Sequence, residues 1–378
     1  MMDWPRPLIG LALAAALSGG DAVSSGRPPA IVTVEVAVER PVPIAGPAQV
    51  VPWSLVRDLT AQDFEILSDG TACAIESFAR SVSPLSIVVL ADVSASTEVP
   101  VHWLLESVQS GLVPSLAPGD RVAFGRFGGA PLHVKRDFSG SAADIGEAAR
   151  AVLTSPPDAA APSWPAAVPG PVRLDPVLLV PGMNGAFGLG ASPAWDAVDA
   201  AVTALASQPG PRAVMLITDG RSTGNALGVE DAILRAVTEN VCVLVVGLAE
   251  DELIRQDGTA TARVQPALLL RSMAATTGGA YAAVFGPGKS RPERVDGLAA
   301  RPARLREGGE PLKPARIDER AFKQWVARTL AAFVNDLHGS YSIGFRVPAL
   351  DGRLHTLDVR VRTPGLKARA RQRYAARP

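Results

Sequence analysis

The patterned part of the chain opens with Ile31 to Val38, where apolar and polar residues alternate as they do in a strand with one buried face. Phe64 and Ile66 continue that alternation, Asp69-Gly70 supplies a turn, and Ala74 to Phe78 is expected to return as the second arm of a hairpin. From Leu85 the pattern changes. Leu85-Ser86-Ile87-Val88-Val89-Leu90 is almost unbroken apolar sequence, which predicts a strand covered on both faces. Ala213 to Ile217 and Val241 to Val246 are of the same kind. Between them lie helical patterns at Val101 to Leu116, Ala142 to Leu153 and Val229 to Glu239, with further strands at Arg121 to Phe127 and Leu132 to Lys135. Strands alternating with helices predict an α/β fold built on a doubly wound, mostly parallel sheet.

An amphipathic helix from Asp318 to Leu337, bearing Phe322, Trp325, Val326, Leu330 and Phe333, closes that part. Alternating strands then return at Ser340 to Val347, Leu354 to Arg362 and Lys367 to Tyr374, with Asp351-Gly352 at the first turn. These are too few strands for a core of their own. Residues 30–84 are therefore expected to pair with residues 339–378, forming one small β-sandwich-like module from both chain ends beside an α/β domain over residues 85–338. Residues 155–190 and 286–315 are rich in Pro and Gly without a period, and read as insertions into that domain. The arginines of the second stretch are interleaved with Glu293, Asp296, Glu307 and Glu310, which predicts a solvated loop rather than a basic patch.

Composition narrows the class. Apolar residues make up 47% and charged residues 20% of 378, an ordinary globular balance. Lys plus Arg equals Asp plus Glu at 37 each, so no global charge points to nucleic acid or an anionic membrane. The alternating basic tail, Lys367 to Arg377, reads as a half-exposed strand. At the front, Arg6 precedes the apolar run Leu8 to Leu17, and Gly20-Asp21-Ala22 fits cleavage after a small residue. Residues 1–22 thus read as a signal peptide, which predicts a secreted, periplasmic or cell-envelope protein with no integral membrane span after its removal. Export would permit a disulfide between Cys73 and Cys242. Cys242, however, sits in an apolar strand, where cysteine acts as a small hydrophobe.

Ligands of a doubly wound sheet bind beyond the carboxyl ends of its strands. Three polar clusters fall at such places. Asp92, Ser94 and Ser96 follow the first apolar strand, Ser192 lies between an insertion and a helix, and Thr218-Asp219-Gly220 follows the Ala213 to Ile217 strand. The carboxylates of Asp92 and Asp219 with the hydroxyls of Ser94, Ser96 and Ser192 make an oxygen-only set suited to a hard cation such as Mg²⁺, Mn²⁺ or Ca²⁺. Carboxylates about 5 Å apart repel by roughly 3 kcal/mol at an effective dielectric of about 20. A cation between them reverses that term, and neutral hydroxyl ligands leave it electrophilic toward an outside carboxylate.

This arrangement resembles the von Willebrand factor type A (VWA) family. Its Asp-x-Ser-x-Ser motif is matched by Asp92, Ser94 and Ser96, its separate threonine by Ser192, and its late aspartate by Asp219. The threonine position departs from the pattern, keeping the hydroxyl and losing the methyl. Leu59 to Gly70, Tyr341 to Phe345, His355 and Arg371 to Tyr374 are similar to segments of secreted bacterial VWFA-related proteins. The resemblance implies a metal-dependent adhesion site in which Ser94, Ser96 and Ser192 bind metal directly and Asp92 and Asp219 act through water. It implies a protein partner that offers an Asp or Glu carboxylate.

The residues also speak to rival functions. The four histidines, His102, His133, His338 and His355, have no nucleophile motif beside them, and there is no Gly-x-Ser-x-Gly elbow. No His/Cys cluster has zinc spacing and no Gly-rich loop ends in Lys-Ser/Thr. Asp92 lacks the second aspartate two residues on that a phosphoryl-transfer nucleophile would want, since Ser94 stands there. An adhesion-type binding module is therefore expected ahead of an envelope-assembly protein with a degenerate metal site, and a hydrolase comes last. No enzymatic activity is expected.

Overall fold

The protein, as a computed structural model, is described over residues 30–42, 51–81, 83–94, 97, 99–128, 132–135, 137–154, 192–248, 252–256, 259–264, 266–283 and 319–377. Residues 1–22, Ser96 and both Pro/Gly-rich insertions lie outside the described residues. The first strands are β1 (Ala30–Pro41), β2 (Trp53–Leu55), β3 (Phe64–Ser68), β4 (Thr71–Cys73) and β5 (Ile75–Arg80). Next come β6 (Ser86–Asp92), α1 (Val101–Ser107), α2 (Val113–Ser115), β7 (Arg121–Phe127), β8 (His133–Val134), α3 (Ala142–Thr154), α4 (Ala194–Leu205), β9 (Arg212–Thr218), α5 (Val229–Thr238) and β10 (Val241–Gly247). The chain continues through β11 (Glu252–Gln256), β12 (Thr259–Val264), α6 (Pro266–Thr276), β13 (Tyr281–Ala283) and α7 (Glu319–His338). It ends with β14 (Tyr341–Val347), β15 (Leu354–Val361), β16 (Lys367–Arg369) and β17 (Arg373–Ala375).

The apolar strands form one sheet in the order β13-β10-β9-β6-β7-β8. Its first five strands are parallel and β8 is antiparallel at one edge. All seven residues of β6 are buried, as its unbroken apolar sequence predicts for a strand covered on both sides. Ile87, Val89 and Phe124 face a core shared with α1, α3 and α7, while Val88, Leu90 and Leu216 face a second core under α4, α5 and α6. Alternation along each strand therefore sorts its residues between two helical layers. Residues 266–283 supply α6 and β13, a helix and an edge strand that the apolar pattern alone did not single out.

The helix after β6 is not uniform. A π turn over Val108–Leu112 separates α1 from α2. Gly111 in that turn lies against α7 so closely that an added Cβ would stand 2.1 Å from the Ala327 carbonyl oxygen. The missing side chain is what allows the two backbones to touch.

Strands from the two chain ends pair. β1 runs antiparallel to β14 with Val34 opposite Ile343, and β15 runs antiparallel to β3 with Val359 opposite Ile66. The resulting sheets, β16-β1-β14-β5 with β2 added to β1, and β17-β15-β3-β4, contribute jointly to a third core. Tyr341 is central to it: its hydroxyl accepts from Leu59 N (3.0 Å) and donates to Val56 O (3.1 Å). Two expectations are corrected here. The arm returning from Asp69-Gly70 is Thr71–Cys73, and the stretch expected to return instead joins β14 in the other sheet as β5. The expected strand Lys367 to Tyr374 is split, because β16 pairs with β1 and β17 with β15, and Arg371 between them bridges to Thr277.

The seam between the end strands and the α/β part is polar. Arg369 donates to Asp336 at the end of α7 (2.6 Å) and to Glu39 of β1, and Trp53 Nε1 also donates to Asp336 (3.2 Å). Burial pushes the Asp336 carboxyl up to about 6, against the pull of Arg369. Burial likewise pushes the Cys242 thiol up to about 12, and both cysteines are free. No described helix is long and apolar enough to cross a membrane.

On the far side, His355 sits between two carboxylates, with Nδ1 2.7 Å from Asp69 and Nε2 3.0 Å from Asp351, and stacks on Tyr374. Asp69 also accepts from Thr356 N and Oγ1, and these bonds with His355 hold it down at about 2. The two carboxylates raise the His355 pKa. Protonated His355 thus stabilises the fold fully below its unfolded pKa, and that contribution disappears as pH rises through the raised folded value. The melting temperature should fall as pH climbs above about 6.5, and His355→Gln should remove that part of the fall. Parallel pH profiles of wild type and variant would not superpose if this holds. Separately, Gly111→Ala should cost roughly 3 kcal/mol or more, since overpacking against backbone cannot relax through a rotamer. Denaturant unfolding measures it.

Candidate metal centre

β6 and β9 are neighbours in register, with Ala91 opposite Ile217. Their carboxyl ends therefore deliver Asp92 and the Thr218-Asp219 pair to the same sheet edge. Both carboxylates are buried, Asp92 at 1% and Asp219 at 3% exposure. Burying a charge without compensation is costly, so every donor near Asp92 matters. Its Oδ1 accepts from Ser94 N (3.0 Å) and from Ser192 Oγ (3.3 Å). Its Oδ2 accepts from Thr218 Oγ1 (2.7 Å), while Gly220 N donates to that same hydroxyl oxygen (3.0 Å).

These bonds do not fully offset burial. Desolvation, with a contribution from the Asp219 charge, keeps the Asp92 carboxyl above its ordinary value, although Ser94 and Thr218 pull it down. Asp219 is half satisfied. Its Oδ1 accepts from Arg221 N (2.9 Å), and its Oδ2 is buried with no hydrogen-bond partner among the described residues. A buried carboxylate oxygen left unbonded beside a second buried carboxylate is an electrostatic deficit.

Ser192 reaches this edge from a different layer. It precedes α4 and forms an isolated bridge with Thr223, accepting from Thr223 N (2.9 Å). Ser222 Oγ donates to Ser192 O (3.1 Å) and accepts from Ala194 N (3.0 Å). Asn225 closes the arrangement, taking Trp195 N on Oδ1 (2.9 Å) and giving Nδ2 to Ser222 Oγ (2.8 Å). Asp196 caps the same loop by accepting from Ala226 N and Leu227 N. The loop after β9 is thereby tied to the start of α4, which fixes Ser192 relative to Asp219.

Gly128, just past β7, forms the floor. Its φ is +84°, and an added Cβ would stand 2.8 Å from Asp92 Oδ1 and 2.7 Å from Ser94 Cβ. Of the five residues expected at the site, Asp92, Ser94, Ser192 and Asp219 come together at this edge, and Ser96 lies outside the described residues. Supporting residues that the motif did not mark are Gly128, Asp196, Ser222 and Asn225. Gly128 was signalled only as a glycine directly after a strand, and the others as polar residues in turns, a very common pattern. Among the described residues no three His, Cys, Asp or Glu side chains gather as a metal cluster, so any cation here would depend on hydroxyls as well as the two carboxylates.

The five parallel strands between helical layers, with an Asp-x-Ser turn at the central strand's end, are the doubly wound α/β architecture expected from the sequence. No protein-family model matches the chain, and no curated protein matches it by sequence. Among solved structures it is similar to the conserved hypothetical protein BatB of Bacteroides thetaiotaomicron, at 17% identity over 53% of this chain and 90% of that one, with a TM-score of 0.34. It is similar to an aerotolerance-related membrane protein of Bacteroides fragilis NCTC 9343, at 16% identity over 54% and 92%, with a TM-score of 0.33. A von Willebrand factor type A protein of Catenulispora acidiphila is 13% identical over 68% of this chain and 46% of its own, with a TM-score of 0.35.

Thr218→Val should leave Asp92 Oδ2 without its shortest donor and cost roughly 1–3 kcal/mol in chelator, read by urea unfolding. Gly128→Ala should also destabilise, because its Cβ meets Asp92 and the backbone must leave a left-handed φ. Unfolding curves identical to wild type for both variants would contradict this reading of the edge.

Proposed function

We propose that the chain is an exported, metal-dependent binding module of adhesion type, acting in the cell envelope or outside the cell. In this reading Ser94, Ser96, Ser192, Asp92 and Asp219 hold Mg²⁺, Mn²⁺ or Ca²⁺, and the cation takes an Asp or Glu carboxylate from a partner protein. The observation that carries it is the unbonded, buried Oδ2 of Asp219 beside buried Asp92. A divalent cation supplies what that pair lacks, and an oxygen-only donor set suits a hard ion. Bound there, the ion supplies Lewis acidity toward an incoming carboxylate. The chain's own part is to orient the donors: Thr218 and Gly220 fix Asp92, the Ser222–Asn225 pair fixes Ser192, and Gly128 keeps the floor open. The end strands would serve as a sandwich-like support at the opposite end of the parallel sheet.

The reading is non-catalytic. In it the hydroxyls of Ser94, Ser192 and Thr218 serve to hold the Asp92 carboxyl, with which each is hydrogen-bonded. His338 and His355 are engaged elsewhere, with Asp120 and with Asp69 and Asp351. The same internal bonds to Asp92 favour a second reading, in which the site is degenerate and the protein is structural in envelope assembly, because hydroxyls partly satisfy the carboxylate without an ion.

Thermal unfolding and calorimetry with Mg²⁺ and Mn²⁺ separate the two. Under the first reading, metal at a hundred times its Kd stabilises wild type by about 2.7 kcal/mol. Asp92→Ala and Asp219→Asn lose that response, and Asp219→Asn is no less stable than wild type in chelator. Metal-independent stability in all three proteins, with partner capture from envelope extracts insensitive to chelator, selects the structural reading instead.

A further inference from the structure

A groove of about 450 Å³ runs along the seam, between α6 and β13 on one side and β15 and β16 on the other. Three features give it a chemistry. β16 is the last strand of its sheet, pairs among the described strands with β1 alone, and lines the groove with Lys367, Ala368 and Arg369. Such an edge accepts an added strand. The groove floor offers small apolar side chains, Ala274, Ala275, Ala280 and Ala368, with Leu357 beside them. The charge is one-sided. Glu39 is already taken by Arg369, and Asp358 by Arg360 (2.7 Å). Arg271 and Lys367 line the groove with no ion-pair partner among the described residues, and Arg271 is steered over the Tyr281 ring, 4.9 Å from its centroid.

We propose that this groove docks an extended acidic peptide segment, which adds a strand to β16 and places carboxylates on Arg271 and Lys367. Main-chain bonds to β16 supply register, the alanine-rich floor accepts small side chains, and the two cations select acidic sequence. The chain's own 284–318 segment, which leaves β13 beside the groove, is a poor occupant on charge. It carries Lys289, Arg291, Arg294, Arg301, Arg304, Arg306, Lys313 and Arg316 against Glu293, Asp296, Glu307, Glu310 and Asp318. The proposal is independent of any metal.

The test uses the full-length chain in chelator, which silences a cation-dependent site. Fluorescence anisotropy reads binding of a labelled eight-residue peptide of alternating Glu and Val, with a Lys-Val peptide as control. The Glu peptide should bind and the Lys peptide should not. Arg271→Glu and Lys367→Glu should each weaken binding by about tenfold, Asp92→Ala should leave it unchanged, and sodium chloride at about 0.5 M should weaken it. Amide exchange should slow at Lys367–Arg369 when the peptide is bound. Absence of binding, equal binding of both peptides, or binding that Asp92→Ala abolishes while Arg271→Glu spares would each overturn the proposal. Binding that appears only after deletion of residues 284–318 would assign the groove to that segment instead.

Discussion

The structure depends on β6 being buried on both faces between β7 and β9. A central strand in a parallel sheet has no solvent-facing side, so its side chains must be apolar for as long as the sheet lasts. At roughly 1.5–3 kcal/mol for each large apolar side chain buried, this strand and its two neighbours anchor the α/β part. The first carboxylate appears at Asp92, where cover from the helical layers ends. Because β9 runs parallel and in register, Thr218 and Asp219 arrive at the same level. The site is thus a consequence of where two adjacent strands stop.

What happens at that edge is a contest between burial and bonding. Asp92 and Asp219 are both nearly inaccessible, and backbone amides and hydroxyls meet them, Ser94 N and Thr218 Oγ1 on Asp92 and Arg221 N on Asp219. Neutral donors leave the negative charge in place. Among the described residues nothing bonds Asp219 Oδ2 at this edge. At the opposite seam the compensation is of the other kind, with Arg369 set between Glu39 and Asp336, and the result is a structural joint. Similar carboxylates serve different ends according to the partner the fold supplies.

Much of the α/β part was legible in the sequence. Unbroken apolar runs at β6, β9 and β10, and helical periods at α3, α5 and α7, are signals of burial that do not depend on distant partners. The end strands were legible as strands but less so in their pairing. Lys367 to Tyr374 reads as one alternating strand, and only the geometry of two sheets sharing one core splits it at Arg371. The π turn at Gly111 and the edge strand β13 left little trace, since a close backbone crossing and a three-residue strand have no periodic signature.

Sequence by itself determined the buried strands, the alternation of elements and the residue types at the carboxyl ends, because local pattern reports how much water each position sees. It marked Asp92, Ser94, Ser96, Ser192 and Asp219 as chemically suited to one site. Tertiary structure alone decided which donors meet which oxygen: Thr218 on Asp92, Ser222 and Asn225 behind Ser192, Gly128 beneath, and among the described residues nothing on Asp219 Oδ2. Those are contacts between segments up to 126 residues apart, and hydrogen bonding at that range is set by packing rather than by spacing along the chain.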